Sequence, residues 1–351
     1  MVMSGKSCAV AEGDVMFFAR IDEVIRRCRY VAEGMVYVFV PSKWVCSRYI
    51  ALFNKSPPDI VCPHFWELKW AYGCPFNCAY CYLQGTFFGN KSFRVKDLDD
   101  LKRELREFLS WASSEGIRVL LNSGELCDSL AVSEATRKFV PVVIEVLEEF
   151  PEHRVLMVTK GGVQHVKPFI EVSRGFEELF IVSFSVNSEE AARRFEKAPT
   201  PRDRLEAAKL VQEYGYVLRL RIDPMVPVEG WEKHYTSLID LIFSKYELKP
   251  ERITLGVLRG LLKTIRFSKD RSWTRYLDKS EKTGWGLKPG YELRKAMYVH
   301  VIEKLREYGY KGYVALCKET YSMWLDLAKE GYLPSPGEQG IWQNIRCNCR
   351  L

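Results

Sequence analysis

Trp70-Ala71-Tyr72-Gly73-Cys74-Pro75-Phe76-Asn77-Cys78-Ala79-Tyr80-Cys81-Tyr82-Leu83-Gln84-Gly85 places three cysteines within eight residues, spaced C-x3-C-x2-C. An apolar and aromatic run from Phe65 to Tyr72 leads in like a strand, and an aromatic follows the last cysteine. Thiolates are soft ligands that hold iron–sulfur clusters, ordinarily four cysteines to a cubane. Three local cysteines can hold three irons of a 4Fe–4S cluster and leave the fourth open to a small chelating molecule. Half of a zinc site is a competing reading, although zinc knuckles pair C-x2-C with a second such pair. Unliganded buried thiols are another. The strand before the first cysteine and the aromatics around the last favour the cluster.

A chain of 351 residues fits one large domain or two. A 47% hydrophobic and 28% charged composition is that of a soluble globular protein with a real core. No apolar stretch is long enough to predict a membrane span. Met1 to Asp14 lacks the basic-then-apolar layout of a secretory signal, so a cytoplasmic protein is expected. Eleven cysteines then suggest metal or catalysis rather than a disulfide framework. A net charge of +7 permits a nucleic-acid partner without demanding one.

Residues 1–64 read as an accessory segment. Val15 to Tyr30 has Phe17, Ile21 and Ile25 at helical spacing and predicts an amphipathic helix. Met35 to Val40 is β-prone and closed by Pro41. Ser56-Pro57-Pro58-Asp59 is a turn-rich linker and the expected boundary. From Phe65 onward, strands expected at 67–72, 117–121, 154–159, 179–185, 217–222 and 252–257 alternate with helical patterns. Such alternation predicts parallel strands with right-handed crossovers. Six units predict an α/β fold, an open (β/α)6 partial TIM barrel, with extensions at both ends. Its core is expected over 65–258, followed by a basic, cysteine-containing region over 259–351. Chemistry in such barrels sits at the C-terminal ends of the strands, where the cysteine loop falls.

The cysteine loop resembles that of the radical SAM superfamily, and Cys78-Ala79-Tyr80-Cys81-Tyr82-Leu83-Gln84 is similar to the C-x-Y-C-Y-L-Q of spore photoproduct lyases. Val158-Thr159-Lys160, Phe184-Ser185-Val186-Asn187-Ser188, Arg204-Leu205-Glu206-Ala207-Ala208 and Pro227-Val228-Glu229-Gly230-Trp231-Glu232 follow in the family's order, and the likeness runs from about Phe65 to Tyr313. The resemblance implies that Cys74, Cys78 and Cys81 ligate a 4Fe–4S cluster whose open iron binds S-adenosylmethionine. It implies cofactor contacts from Glu125, in an element like the superfamily's G-G-E, and from Lys160, Ser185 and Asn187. Tyr80 and Tyr82 match tyrosines near the cofactor, one of which relays a hydrogen atom. It further implies an electron donor such as flavodoxin or ferredoxin, and a carbon–carbon lyase that restores two thymines in DNA. Anchored on Asp128, however, the family's hydrogen-donor cysteine falls at Glu125. Cys127, two residues on, shares a face with it in extended chain and is the candidate replacement. Without a thiol donor, the same chemistry could serve an RNA base, a peptide or a small metabolite. A non-enzymatic metal-binding nucleic-acid protein is the remaining alternative.

Arg259, Lys263, Arg266, Lys269, Arg271, Arg275, Lys279 and Lys282 are interleaved with Phe267, Trp273, Tyr276 and Trp285. Cations pair with phosphates and aromatics stack on bases, so Arg259 to Lys282 is the expected DNA contact. Cys317, Cys347 and Cys349 form a second concentration of thiols. A second cluster, a zinc or a redox pair would each fit them, and they are read here as plain thiols.

Overall fold

The structure is a computed structural model that describes residues 8–12, 15–19, 29–32, 35–340, 342 and 344–351. Seven parallel strands form its main sheet: Phe65–Leu68, Leu120–Asn122, Arg154–Thr159, Phe180–Val186, Val217–Met225, Arg252–Val257 and Tyr313–Leu316. They lie side by side in chain order. Most are runs of β-branched and apolar residues, which suits strands covered on both faces. Helices Leu98–Ser114, Ser133–Leu147, Val163–Ser173, Pro201–Glu213, Trp231–Asp240 and Tyr291–Glu307 supply the crossovers. Their buried stripes, such as Leu101, Leu105, Phe108 and Leu109, pack on the outside of the sheet in one continuous core. The six expected strands and their order are all present, as an open partial barrel.

The sheet extends beyond the expected core at both edges. Ile50–Phe53 adds an antiparallel strand next to Phe65–Leu68, pairing Phe53 with Phe65. Tyr313–Leu316 adds the seventh parallel strand beside Arg252–Val257. A short ladder between Ile60–Val61 and Glu319–Thr320 joins segments from the two edges. The expected strand over 67–72 is split: Phe65–Leu68 lies in the sheet, whereas Ala71–Tyr72 pairs with Arg94–Val95.

The N-terminal reading needs correction. Cys8–Glu12, Val15–Ala19, Met35–Val40 and Arg29–Ala32 form a four-stranded sheet in that order. Val15–Ala19 is therefore a strand, with Cys8–Glu12 on one side and Met35–Val40 on the other. Val15 to Phe18 is an unbroken apolar run, which suits a strand paired on both sides as well as it suits a helix. Ile21 and Ile25, the rest of the predicted helical stripe, lie outside the described residues.

The barrel interior is polar and is filled from below. Arg219 and Arg252, low on the fifth and sixth strands, donate to the carbonyl of Arg350 at 2.6 and 2.9 Å. Asn348 donates to Ser183 Oγ at 2.8 Å and to the Leu220 carbonyl at 2.9 Å, and accepts from Thr254 Oγ1 at 2.8 Å. Leu351 packs on Leu120, Leu156 and Ile181. The segment around Asn348 thus plugs the lower half of the barrel, leaving an open cavity above it.

Candidate active site

The cysteine loop leaves the first strand at the C-terminal face and is fixed by its backbone. Gly73, at φ +83°, donates to the Leu126 carbonyl, and a Cβ there would lie 2.2 Å from the Ser92 carbonyl oxygen. Cys74 N donates to the Lys91 carbonyl at 2.9 Å, and buried Lys91 returns its Nζ to the Phe76 carbonyl at 3.0 Å. Ala79 N reaches the Phe195 carbonyl at 2.8 Å. Gln84 is buried, and its amide donates to the Cys78 carbonyl at 3.2 Å. The Gln of the C-Y-L-Q run therefore braces the loop. Gly85 allows close packing, since a Cβ there would meet the backbone of Thr264 at 2.6 Å.

Cys74, Cys78 and Cys81 open onto a cavity of about 540 Å³ to which all seven parallel strands contribute residues at or just beyond their ends. Its wall includes Glu67, Glu125, Cys127, Lys160, Ser185, Asp223, Arg259 and Lys318. Burial pushes the Cys74 and Cys78 thiols well above their ordinary range. Bare thiolates are costly there, and a soft cation would remove that cost. Among the described residues, no group of three or more His, Cys, Asp or Glu closes to single-ion geometry. A cubane spreads its thiolates more widely than a lone ion does, and three soft sulfurs on one cavity wall fit such a cluster with one iron open.

The expected site residues fall into two groups. Cys127, Glu125, Lys160, Ser185, Tyr80 and Tyr82 line the cavity. Asn187 is fully buried just behind it. Its amide donates to the Pro224 carbonyl at 2.9 Å and to Tyr80 Oη at 3.4 Å, and accepts from Tyr235 Oη at 3.0 Å. Tyr82 is the most exposed of the set and donates its hydroxyl to the Glu125 carbonyl. Cys127 Sγ lies 3.5 Å from the Ser123 carbonyl. Asp128 accepts from Thr159 Oγ1 at 2.7 Å and from Lys160 N at 2.6 Å, clamping the loop after the second strand to the end of the third.

The sequence reading missed Glu196. Its side chain has no exposure, pairs with Lys160 Nζ at 3.1 Å and with Arg204, and accepts from the Tyr80 hydroxyl. Lys160 and Arg204 hold the Glu196 carboxyl well below the usual range against the cost of burial. The available signal was Arg204, an arginine on the buried stripe of helix Pro201–Glu213 beside Leu205 and Ala208. A buried guanidinium requires an anion.

Glu67 was missed as well. It faces the cavity, and burial reinforced by Glu125 lifts its carboxyl to about 7. Such a group holds its proton more tightly in the folded state. Its contribution to stability is present below the ordinary value of 4.5 and is lost as pH rises through about 7. Glu67→Gln is therefore expected to stabilise the protein above neutrality by about 3 kcal/mol and to leave acid stability unchanged. Urea melts at about pH 4 and about pH 8 measure this, and equal effects at both would refute it.

The basic region needs partial correction. Arg259 is turned inward, pairs with Asp223 and donates to the Cys317 carbonyl at 2.9 Å. Trp273 is fully buried, and Trp285 stacks under Lys318 at 4.5 Å. Aromatic bulk and a buried carboxylate draw these side chains into the core. Lys263, Arg266, Lys269, Arg271, Arg275, Lys279 and Lys282 remain exposed. Lys263 lies over the exposed ring of Phe88 at 5.6 Å, and Phe88 meets Phe267 edge-on at 5.3 Å.

A partial βα barrel whose first strand feeds a three-cysteine loop at the catalytic face defines the radical SAM class. Within that class the chain belongs to the spore photoproduct lyase family, whose model matches residues 53–270. It is 28% identical over 219 residues to the spore photoproduct lyase of Geobacillus sp. (strain Y412MC61), covering 62% of this chain and 60% of that one. It is 25% identical over 190 residues to the spore photoproduct lyase of Bacillus subtilis (strain 168), covering 54% and 52%. The match thus spans between half and two thirds of each relative. A solved spore photoproduct lyase mutant with bound AdoMet and dinucleoside spore photoproduct shares the fold, with a TM-score of 0.61 and 23% identity over 71% of this chain and 75% of that one. No described helix is long and apolar enough to cross a membrane.

Proposed function

We propose that the chain is a radical SAM enzyme that repairs a pyrimidine lesion in DNA by breaking a carbon–carbon bond between thymines. The observation that carries this reading is the opening of Cys74, Cys78 and Cys81 onto the cavity formed by all seven strand ends. In the proposal these three thiolates would hold a 4Fe–4S cluster, and Lys160, Ser185 and Glu125 would hold S-adenosylmethionine. When bound and given an electron by a flavodoxin- or ferredoxin-type donor, the pair would supply a 5′-deoxyadenosyl radical for hydrogen abstraction. Glu125 accepts an ammonium, and Lys160 offers a cation to a carboxylate. Tyr80, its proton held toward Glu196, is positioned by Asn187. Tyr82 and the Cys127 thiol line the same space as hydrogen-atom donors.

The exposed cations beside Phe88 and Phe267 are assigned to the phosphates and bases around an extruded nucleotide. Replacing Lys263, Arg266 and Lys269 together by alanine is expected to weaken duplex binding about tenfold or more and to flatten its salt dependence. Fluorescence anisotropy across a salt series tests this, and an unchanged slope would remove these residues from the interface.

The deciding assay is anaerobic. Reconstituted protein, dithionite and S-adenosylmethionine are incubated with and without dinucleoside spore photoproduct, following thymine and 5′-deoxyadenosine. Restored thymine is expected. Deoxyadenosine without repair would redirect the reading to another substrate, and neither product from a protein with its cluster intact would overturn it. The presence of Glu125 at the family's donor position favours one second reading, the same radical chemistry on another substrate such as an RNA base.

A further inference from the structure

Four cysteines outside the loop line the same cavity. Cys62 follows the short strand Ile60–Val61, Cys317 follows the seventh barrel strand, and Cys347 and Cys349 flank the buried Asn348. All four line the cavity, and none is in a disulfide. Cys62 and Cys349 are buried together with Ile60 and Phe65, and Cys347 packs on that group. Cys317 is anchored through its N–H to the Leu255 carbonyl at 2.6 Å, and its carbonyl accepts from Arg259 Nη1 at 2.9 Å.

Buried free cysteines are commonly core filling. These four differ in their surroundings, because three cations face the same space. Lys318 pairs with Glu125 at 3.4 Å and Arg259 with Asp223. Arg221 forms no ion pair with a carboxylate among the described residues. Its Nη2 donates to Cys349 Sγ at 2.8 Å, and its buried Nε has no partner. A guanidinium in such a position is costly unless it faces negative charge. Lys318 adds a second cost, since its backbone sits at φ +51°, a conformation that side-chain-bearing residues rarely adopt. That strain carries the Cys317–Lys318 turn onto the cavity wall.

We propose that Cys62, Cys317, Cys347 and Cys349 hold a second iron–sulfur cluster, a cubane with all four irons on protein thiolates. The four sulfurs would add negative charge beside Arg221, whose Nη2 already donates to Cys349 Sγ. Four thiols on one cavity wall match the ligand number of a cubane. Four thiolates leave no iron open, so this site binds no S-adenosylmethionine, and its chemistry is one-electron transfer. The N–H···S bond from Arg221 favours the reduced, more negative state of the cluster.

The test counts iron and acid-labile sulfide in the anaerobically reconstituted full chain. About eight of each per chain are expected, where the loop alone accounts for about four. The triple variant Cys74→Ser, Cys78→Ser, Cys81→Ser is expected to keep about four of each, with the visible absorption of a cubane. The pair Cys347→Ser, Cys349→Ser is expected to lose that half and to keep the loop's. About four irons in the unaltered chain would overturn the proposal, as would one zinc without sulfide in the triple variant. The count on the unaltered chain decides even if a variant fails to fold. It is also independent of substrate, so the inference stands or falls separately from the lyase reading.

Discussion

Cys78→Ala is expected to cut 5′-deoxyadenosine formation by at least about a hundredfold while leaving the fold in place. The two effects separate because the loop is held by groups other than its thiols. Ala79 N on the Phe195 carbonyl, Cys74 N on the Lys91 carbonyl, and the Lys91 and Gln84 side chains on the carbonyls of Phe76 and Cys78 all survive the change. Losing one small buried sulfur costs about 1 kcal/mol, a shift of a few degrees in melting temperature. In the proposed site, losing one of three ligands would remove the geometry that leaves a single iron open. The measurement pairs deoxyadenosine yield under dithionite with a thermal melt. A variant that makes deoxyadenosine at the original rate would show that Cys78 is not a ligand. One that fails to fold would show that the thiol carries more packing than its neighbours indicate.

The parts legible in the sequence were those whose cause is local. The barrel strands are apolar runs of the right length, so Arg154–Thr159 and Arg252–Val257 were readable to the residue. The cysteine spacing names its own chemistry. Val15–Ala19 was not readable, because its apolar run fits two periods and its pairing partners decide between them. Ile50–Phe53 was missed because it lies upstream of a proline-rich turn and joins the sheet antiparallel. The plug at Asn348 could not be seen at all. It is a contact of about 130 residues' separation with Arg219, made by an asparagine with no distinguishing neighbours except two cysteines. Arg259 belonged to a basic run by composition and to a buried ion pair by position. Charge runs describe exposed faces only after burial has taken its share.

Glu196→Gln is expected to destabilise the protein by about 3–5 kcal/mol, the scale of breaking a buried ion pair by removing one partner. The carboxylate serves two cations at once, and the Arg204 side chain beside it has no exposure. Glutamine keeps the shape and the bond to Tyr80, so the loss reports charge. Acid behaviour gives an independent reading. A carboxyl depressed by the fold contributes stability that is present above the ordinary value of 4.5 and is lost as pH falls below it. The acid limb of the original protein should therefore be steeper than that of the variant, and urea melts from neutral to acid pH would show it. Lys160→Ala supplies the comparison. Its side chain is 15% exposed, and its removal leaves Arg204 paired, so it should cost less stability than Glu196→Gln. Because Lys160 also faces the cavity, its loss should raise the KM for S-adenosylmethionine. Equal losses of stability from the two variants would mean that Arg204 does not depend on Glu196. The carboxylate would then serve the cavity through Lys160 alone.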